Sequence, residues 1–210
     1  AHETAVVLAD ENLLMPLLTS LPEDIPDINI TMGYPLKHTS VYTLVRYLTE
    51  LQRSAQLQDG TVYFNQREVI SILRHSLISQ LISEKERQFE REFVKNNVVR
   101  VSPDYFSKSE LLSFIFSRAS SPAAVAEYLK TILHRIASYK PLETDDPFDA
   151  RIRNEFIYRV LLVINRLEAL ADDKEISISM NTWISLLDKL LKSQSVPFSG
   201  EPLAGIQVMG

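Results

Sequence analysis

Two short apolar runs at opposite ends of the chain constrain its fold more than anything between them. Ala5-Val6-Val7-Leu8-Ala9 stops at the polar stretch Asp10-Glu11-Asn12. A helical segment with apolar Leu13, Leu14, Leu17 and Leu18 follows, and Pro22 and Pro26 then break the chain. A second strand-like run, Ile28-Asn29-Ile30-Thr31-Met32, ends at Gly33-Tyr34-Pro35-Leu36. Strand, helix and strand in close succession form the βαβ unit of a parallel sheet. The last residues, Ile206 to Gly210, read as one more buried strand. The expected architecture is mainly α with a small α/β portion. A helical insertion domain over 39–195 is bracketed by parallel-sheet strands from the two chain ends, 1–38 and 196–210. The chain, which starts at Ala1 rather than Met, is read as a piece of something larger.

Helical periodicity carries the middle. Val41, Leu44, Val45, Leu48 and Leu51 recur at three- and four-residue steps and predict a helix over Ser40 to Gln56, capped by Thr39 or Ser40. Gln58-Asp59-Gly60 is a turn and Thr61 to Phe64 a short strand. Asn65 is the expected cap of a helix carrying Val69, Ile70, Leu73 and Leu77. Leu81 to Asn96 is dense in charge, with Ile82, Phe89 and Phe93 as its inner stripe and the acids and bases as a solvated face. Val98 to Val101 reads as extended. Helices follow with Leu111, Leu112, Ile115 and Phe116, then with Val125, Leu129, Ile132, Leu133 and Ile136. Ser121 caps the latter and Pro122 fills its first position. Lys140 to Pro147 is the clearest linker. The longest helix is expected over Phe148 to Ala171 with Phe156, Val160, Val163, Ile164 and Leu167 inward. The last starts at Ser179 or Asn181 and carries Trp183, Leu186, Leu187, Leu190 and Leu191.

Composition excludes several functional classes. Five glycines, three of them at or after Gly200, cannot build a phosphate-binding loop, and neither Gly-x-x-x-x-Gly-Lys-Ser/Thr nor Gly-x-Gly-x-x-Gly occurs. With no cysteine there is no disulfide and no thiolate metal site, which fits a reducing, cytoplasmic setting. The four histidines, His2, His38, His75 and His134, lack metal-ligand spacing. No Gly-x-Ser-x-Gly elbow occurs. The acid pairs Asp145-Asp146 and Asp172-Asp173 read as solvated turn residues. No apolar run approaches the ~18 residues that cross a bilayer, so no membrane partner and no cofactor are expected.

A net charge of −5 gives no global support for nucleic-acid binding, so a basic face has to come from local clustering. Arg151, Arg153, Arg159 and Arg166 share the longest helix, and Arg159 and Arg166, seven apart, fall on one face. Such a row can follow a phosphate backbone; pairing with Asp149, Glu155 and Glu168 is the plainer reading. The aromatics Tyr42, Tyr47, Phe114, Phe116, Tyr128, Phe156 and Tyr158 fall mostly at core spacing.

Ala5 to Leu14 resembles the segment opening the second RecA-like domain of UvrD-like helicases: an apolar strand, a polar stretch, a helix. Thr31-Met32-Gly33-Tyr34-Pro35-Leu36 resembles the strand by which that family's chain leaves the domain. Leu73-Arg74-His75-Ser76-Leu77 resembles the leucine-x-histidine-proline-leucine segment of the AddB-like branch, with Ser76 in place of proline. Leu203 to Gly210 resembles the strand that re-enters the domain. The resemblance implies a fragment of an AddB/RecB-type helicase–nuclease whose parent is an ATP-dependent helicase/exonuclease with a PD-(D/E)XK nuclease domain elsewhere. Its expected role is a non-catalytic accessory or DNA-path region in double-strand break repair and recombination. The implied partners are DNA, the remainder of the parent and a partner helicase subunit. Asp10-Glu11-Asn12 supplies no arginine where such helicases reach the nucleotide phosphates, which implies a degenerate motor module. Lys37, His38, Arg151, Arg159 and Arg166 are the candidate DNA contacts.

Two other classes stand beside this reading. One is a stand-alone helical protein–protein interaction module. The other is a small-molecule enzyme with its crevice near Asp10 and Gly33, disfavoured because the first turn lacks glycine.

Overall fold

A computed structural model describes residues 5–10, 13, 16–17, 20–22, 28–30, 33–139, 147–171, 178–197 and 206–209. The chain is mainly helical. Its first strands are β1 (Ala5–Val7), β2 (Ile28–Ile30) and β3 (Gly33–Pro35), followed by a 3-10 turn over Leu36–His38 and helix α1 (Ser40–Ser54). A hairpin of β4 (Gln56–Gln58) and β5 (Thr61–Asn65) leads to α2 (Gln66–Leu73), α3 (Ser76–Ser79) and α4 (Glu84–Lys95). After β6 (Arg100–Val101) and a 3-10 turn over Pro103–Phe106 come α5 (Glu110–Ile115), α6 (Pro122–Ala137), α7 (Pro147–Ala171) and α8 (Met180–Lys192). β7 (Ser195–Pro197) and β8 (Ile206–Met209) close the described chain.

The two ends of the chain meet in one sheet of order β1-β8-β2. β8 runs parallel to both neighbours, with Val208 opposite Val6 on one side and Ile30 on the other. The strand–helix–strand unit read from the opening residues is therefore not a pair of neighbouring strands: the last strand of the chain lies between them. The central position explains why Val208 is fully buried, whereas Val7 on the outer strand is 69% exposed.

Two antiparallel pieces go beyond the expected architecture. Gly33–Pro35 is a strand in its own right, pairing with β7 so that Tyr34 faces Val196. This ribbon joins the parallel sheet to the helices. A Cβ on Gly33 would come 2.8 Å from the Ser195 Cβ, so the close approach of the two strands requires glycine there. The second piece is the sheet β4-β5-β6. Asp59 and Gly60 both take positive φ, 50° and 78°, the two-residue turn whose twist matches a hairpin. That turn ends α1 early and draws Gln56, expected as helical, into β4.

α1 is the central helix. The Thr39 hydroxyl accepts from the Tyr42 N–H at 3.1 Å and donates to the Leu36 carbonyl at 2.7 Å, fixing the first turn. Val41, Leu44, Val45, Leu48 and Leu51 are buried along one side, and the helix packs against α2, α3, α6, α7 and α8. Each such side chain contributes roughly 1.5–3 kcal/mol by leaving water. Gln52 is buried among them and ties α1 to the segment after α5. Its amide donates to the Ser117 carbonyl and accepts from the Ala119 N–H, both at 2.9 Å.

Several local expectations are corrected. Asn65 sits at the start of α2 but its side chain makes no capping bond; the Gln66 N–H goes to the Val99 carbonyl at 3.0 Å, supplied by the residue just before β6. The helix expected to run through Leu77 splits at His75, whose ring nitrogen accepts from the Leu77 N–H at 3.3 Å and starts α3. α4 begins at Glu84, not Leu81, because Ser83 and Glu86 form a reciprocal capping box. In α8, Leu186 and Leu190 are 37% and 38% exposed, while Ile184 joins Trp183, Leu187 and Leu191 inside. In α7, Ile157 is buried and Phe156 only partly so. The helix expected over Leu13–Leu18 is described only at Leu13, Pro16 and Leu17, and the linker over Lys140–Pro147 only at Pro147, the first residue of α7. Among the described residues no helix is long and apolar enough to cross a membrane.

Candidate nucleic-acid interface

The sequence-derived contact residues fall on two elements. Lys37 and His38 are exposed on the 3-10 turn between β3 and α1. The His38 ring meets Tyr34 edge-on at 6.5 Å, and Tyr34 in turn lies 6.0 Å from Phe156 of α7. The ribbon thus places the turn beside the first half of α7. Arg159 follows Phe156 by three residues and so lies within one turn of it on the helix surface.

Arg159 and Arg166 stand about 10 Å apart along the axis at 1.5 Å per residue. They are not electrostatically equivalent. Arg159 donates to Glu155 at 3.0 Å, one turn back on the same helix. Arg166 is exposed and makes no ion pair among the described residues. Glu168, the acid expected to neutralise it, reaches across to α6, where Lys130 bonds both its oxygens at 3.0 Å. These hydrogen bonds, with a further one to Glu127, hold the Lys130 ammonium above the usual lysine range despite some opposing desolvation. The backbone of Arg151 is in α7; its side chain is outside the described set.

A second charged region lies where α1 meets α8. The Tyr42 hydroxyl donates to Asp188 at 2.8 Å, and Lys192 donates to the other oxygen of that carboxylate at 2.7 Å. Partial burial opposes ionisation of Asp188, but the bonds from Lys192 and Tyr42 outweigh it and hold the carboxyl below its ordinary range. Burial and the adjoining carboxylate push the Tyr42 phenol up. Arg46 contributes its field to both groups. Further along, the Arg53 guanidinium reaches Ser185 at 3.4 Å and Glu50 at 3.5 Å. Sequence reasoning passes over these basic residues because each helix alone looks ordinary. The available signal is the seven-residue spacing of Arg46 and Arg53.

Next to this region, and sharing Arg46 and Glu50 with it, α1 forms a cleft of about 470 Å³ with α2, lined also by Tyr47, Arg67, Glu68 and Ser71. Its charged groups balance in sign. The Ser71 hydroxyl donates to the Arg67 carbonyl at 2.9 Å. At the edge of this region the Tyr47 ring meets His75 at 6.0 Å. Burial pulls the His75 pKa down, opposed by a hydrogen bond with the Ser40 backbone. Among the described residues no group of three or more His, Cys, Asp or Glu could hold a metal ion. The acid pairs Asp145-Asp146 and Asp172-Asp173 lie outside the described residues. The arrangement is one of cations on packed helices, some paired with carboxylates (Lys130, Arg159) and some exposed (Lys37, Arg46, Arg166).

Comparison with protein-family models, with curated proteins and with solved structures found no match to this chain.

Proposed function

We propose that the chain is a non-catalytic accessory region of a helicase–nuclease, guiding DNA during double-strand break repair and recombination in the cytoplasm. One observation carries the reading: β8 lies between β1 and β2, parallel to both, so the helical body is an excursion between strands of a single sheet. An open parallel sheet with a helical body inserted between its strands is the arrangement the UvrD-like resemblance implies. The parent then supplies the ATP and nuclease chemistry, and the implied partners are DNA, the rest of the parent and a second helicase subunit.

The test is the size of the native protein in its source cells, by immunoblot with an antibody raised against this chain. A band several times larger than 24.0 kDa, co-fractionating with ATP-dependent DNA degradation, is the expected result. A band at 24.0 kDa sinks the proposal. It would leave the protein-interaction module, a reading favoured by Leu186 and Leu190, which stand one turn apart and part-exposed on α8.

A further inference from the structure

We infer that the seam between α1 and α8 is a docking surface for the phosphate backbone of duplex nucleic acid. The inference rests on the proposed DNA-path reading and moves the main contact away from the α7 arginine row. Three contacts, two between the helices and one between the residues that flank them, set α1 and α8 against each other in opposite directions. The Leu36 N–H bonds the Gln194 carbonyl at 2.9 Å, Tyr42 bonds Asp188, and Arg53 reaches Ser185. On the 3-10 turn and these two helices, Lys37, Arg46, Arg53, Lys189 and Lys192 stand against Glu50 and Asp188, five cations to two carboxylates. A surplus of three positive charges is thus concentrated on three adjoining elements of a chain whose net charge is −5.

All five cations are exposed, and both carboxylates are already engaged, Glu50 by Arg53 and Asp188 by Lys192 and Tyr42. Lys37, Arg46 and Lys189 make no ion pair among the described residues. Arg46 and Arg53 lie about 10 Å apart along their helix, close to three base-pair steps of about 3.4 Å each measured along a duplex axis.

The seam carries charge without apolar anchors, which decides the class of partner. The large apolar residues of α1 are buried, and the exposed Leu186 and Leu190 lie on the side of α8 away from Asp188, bordering the seam only beside Lys189. A protein interface centres on aromatic or apolar hot spots, and a helix lying in a membrane surface binds through inserted apolar side chains as well as through charge. Single strands stack on aromatic platforms. Here Tyr42 is buried, and the Tyr47 ring has Arg46 over it at 5.6 Å. What remains is a fixed cationic line for a duplex backbone.

The experiment is fluorescence anisotropy of the whole chain with a fluorescein-labelled duplex across a salt series. It compares wild type with the triple variant Lys37→Glu, Arg46→Glu, Lys189→Glu and with the control Arg159→Glu, Arg166→Glu. The seam variant is expected to bind at least ~10-fold more weakly, with a log–log salt slope flatter by about 2.7, from ~0.9 for each phosphate no longer neutralised. Trp183 emission and circular dichroism establish that each variant is folded, and the matching glutamine variants decide the matter if charge reversal prevents folding. If the control loses binding and the seam variant does not, the seam is overturned while the DNA reading stands. If wild type fails to bind duplex even at the lowest salt, both fall. Equal or tighter binding to polyglutamate, to anionic vesicles or to single-stranded DNA overturns the assignment to a duplex.

Discussion

Tyr42 and Asp188, 146 residues apart in the chain, are joined by a 2.8 Å hydrogen bond from phenol to carboxylate. The bond fastens the first turn of the central helix to the last helix, and Lys192 completes it from the far side. Tyr42→Phe keeps the buried ring and removes only the donor, so the expected cost is about 1 kcal/mol. Chemical denaturation followed by the emission of Trp183, the single tryptophan, measures it. Because the folded Asp188 pKa is depressed, its contribution is fully present above the ordinary carboxylate range near about 3.9 and is lost as pH falls through the lower folded value. Asp188→Asn should remove that part of the acid sensitivity.

His75 predicts a second pH effect of the same sign in a different window. Its ring nitrogen accepts the Leu77 N–H that starts α3, a bond the imidazolium cannot make. Burial lowers the folded pKa, so the unfolded chain binds the proton first. Stability is full above the ordinary histidine value of about 6.5 and declines as pH falls through the lower folded one. Urea midpoints at pH values on either side of about 6.5 should therefore differ for wild type and differ less for His75→Gln. An unchanged pH dependence in the variant would remove His75 from the account.

Gln52 is the buried polar group whose replacement should cost most. Its amide satisfies one carbonyl and one N–H of the chain between Ser117 and Ala119. Gln52→Leu fills similar space but leaves both backbone groups without their partner, an expected loss of about 2–6 kcal/mol at ~1–3 per orphaned group. Thermal melts read this directly. A loss no larger than that of a surface substitution would mean that water replaces the amide.

How much of this is legible in the sequence depends on the range over which each signal acts. Helices stand out where capping and periodicity coincide: Ser121 with Pro122 ahead of α6, Ser179 ahead of α8, and the stripe Val160, Val163, Ile164, Leu167 in α7. Pairing between distant strands carries no such mark. Nothing in Gly33-Tyr34-Pro35 announces Ser195-Val196-Pro197 as its partner, and nothing in Ile206 to Met209 says it will part β1 from β2. The same holds for the cations. An arginine row on one helix is visible in a sequence, although Glu155 neutralises part of it. A cationic seam divided between α1 and α8 becomes visible only when the two are packed together.

Gly33 tests the ribbon on which the junction between sheet and helices depends. Its missing side chain lets β7 approach so closely that an added Cβ would sit 2.7 Å from the Ser195 hydroxyl oxygen and 2.8 Å from the Ser195 Cβ. The hydroxyl can rotate away, but the Cβ is fixed by the strand, so Gly33→Ala forces the two backbones apart. The expected cost is roughly 1–3 kcal/mol, typical of overpacking. Ser195→Gly in the same chain removes both clashing atoms and should recover most of it, whereas Ser195→Gly alone should cost only about 0.5–1 kcal/mol, the entropic cost of glycine in a strand. A double-mutant cycle by chemical denaturation gives the coupling. If Gly33→Ala destabilises equally with and without Ser195, the close approach of β3 and β7 is not its cause.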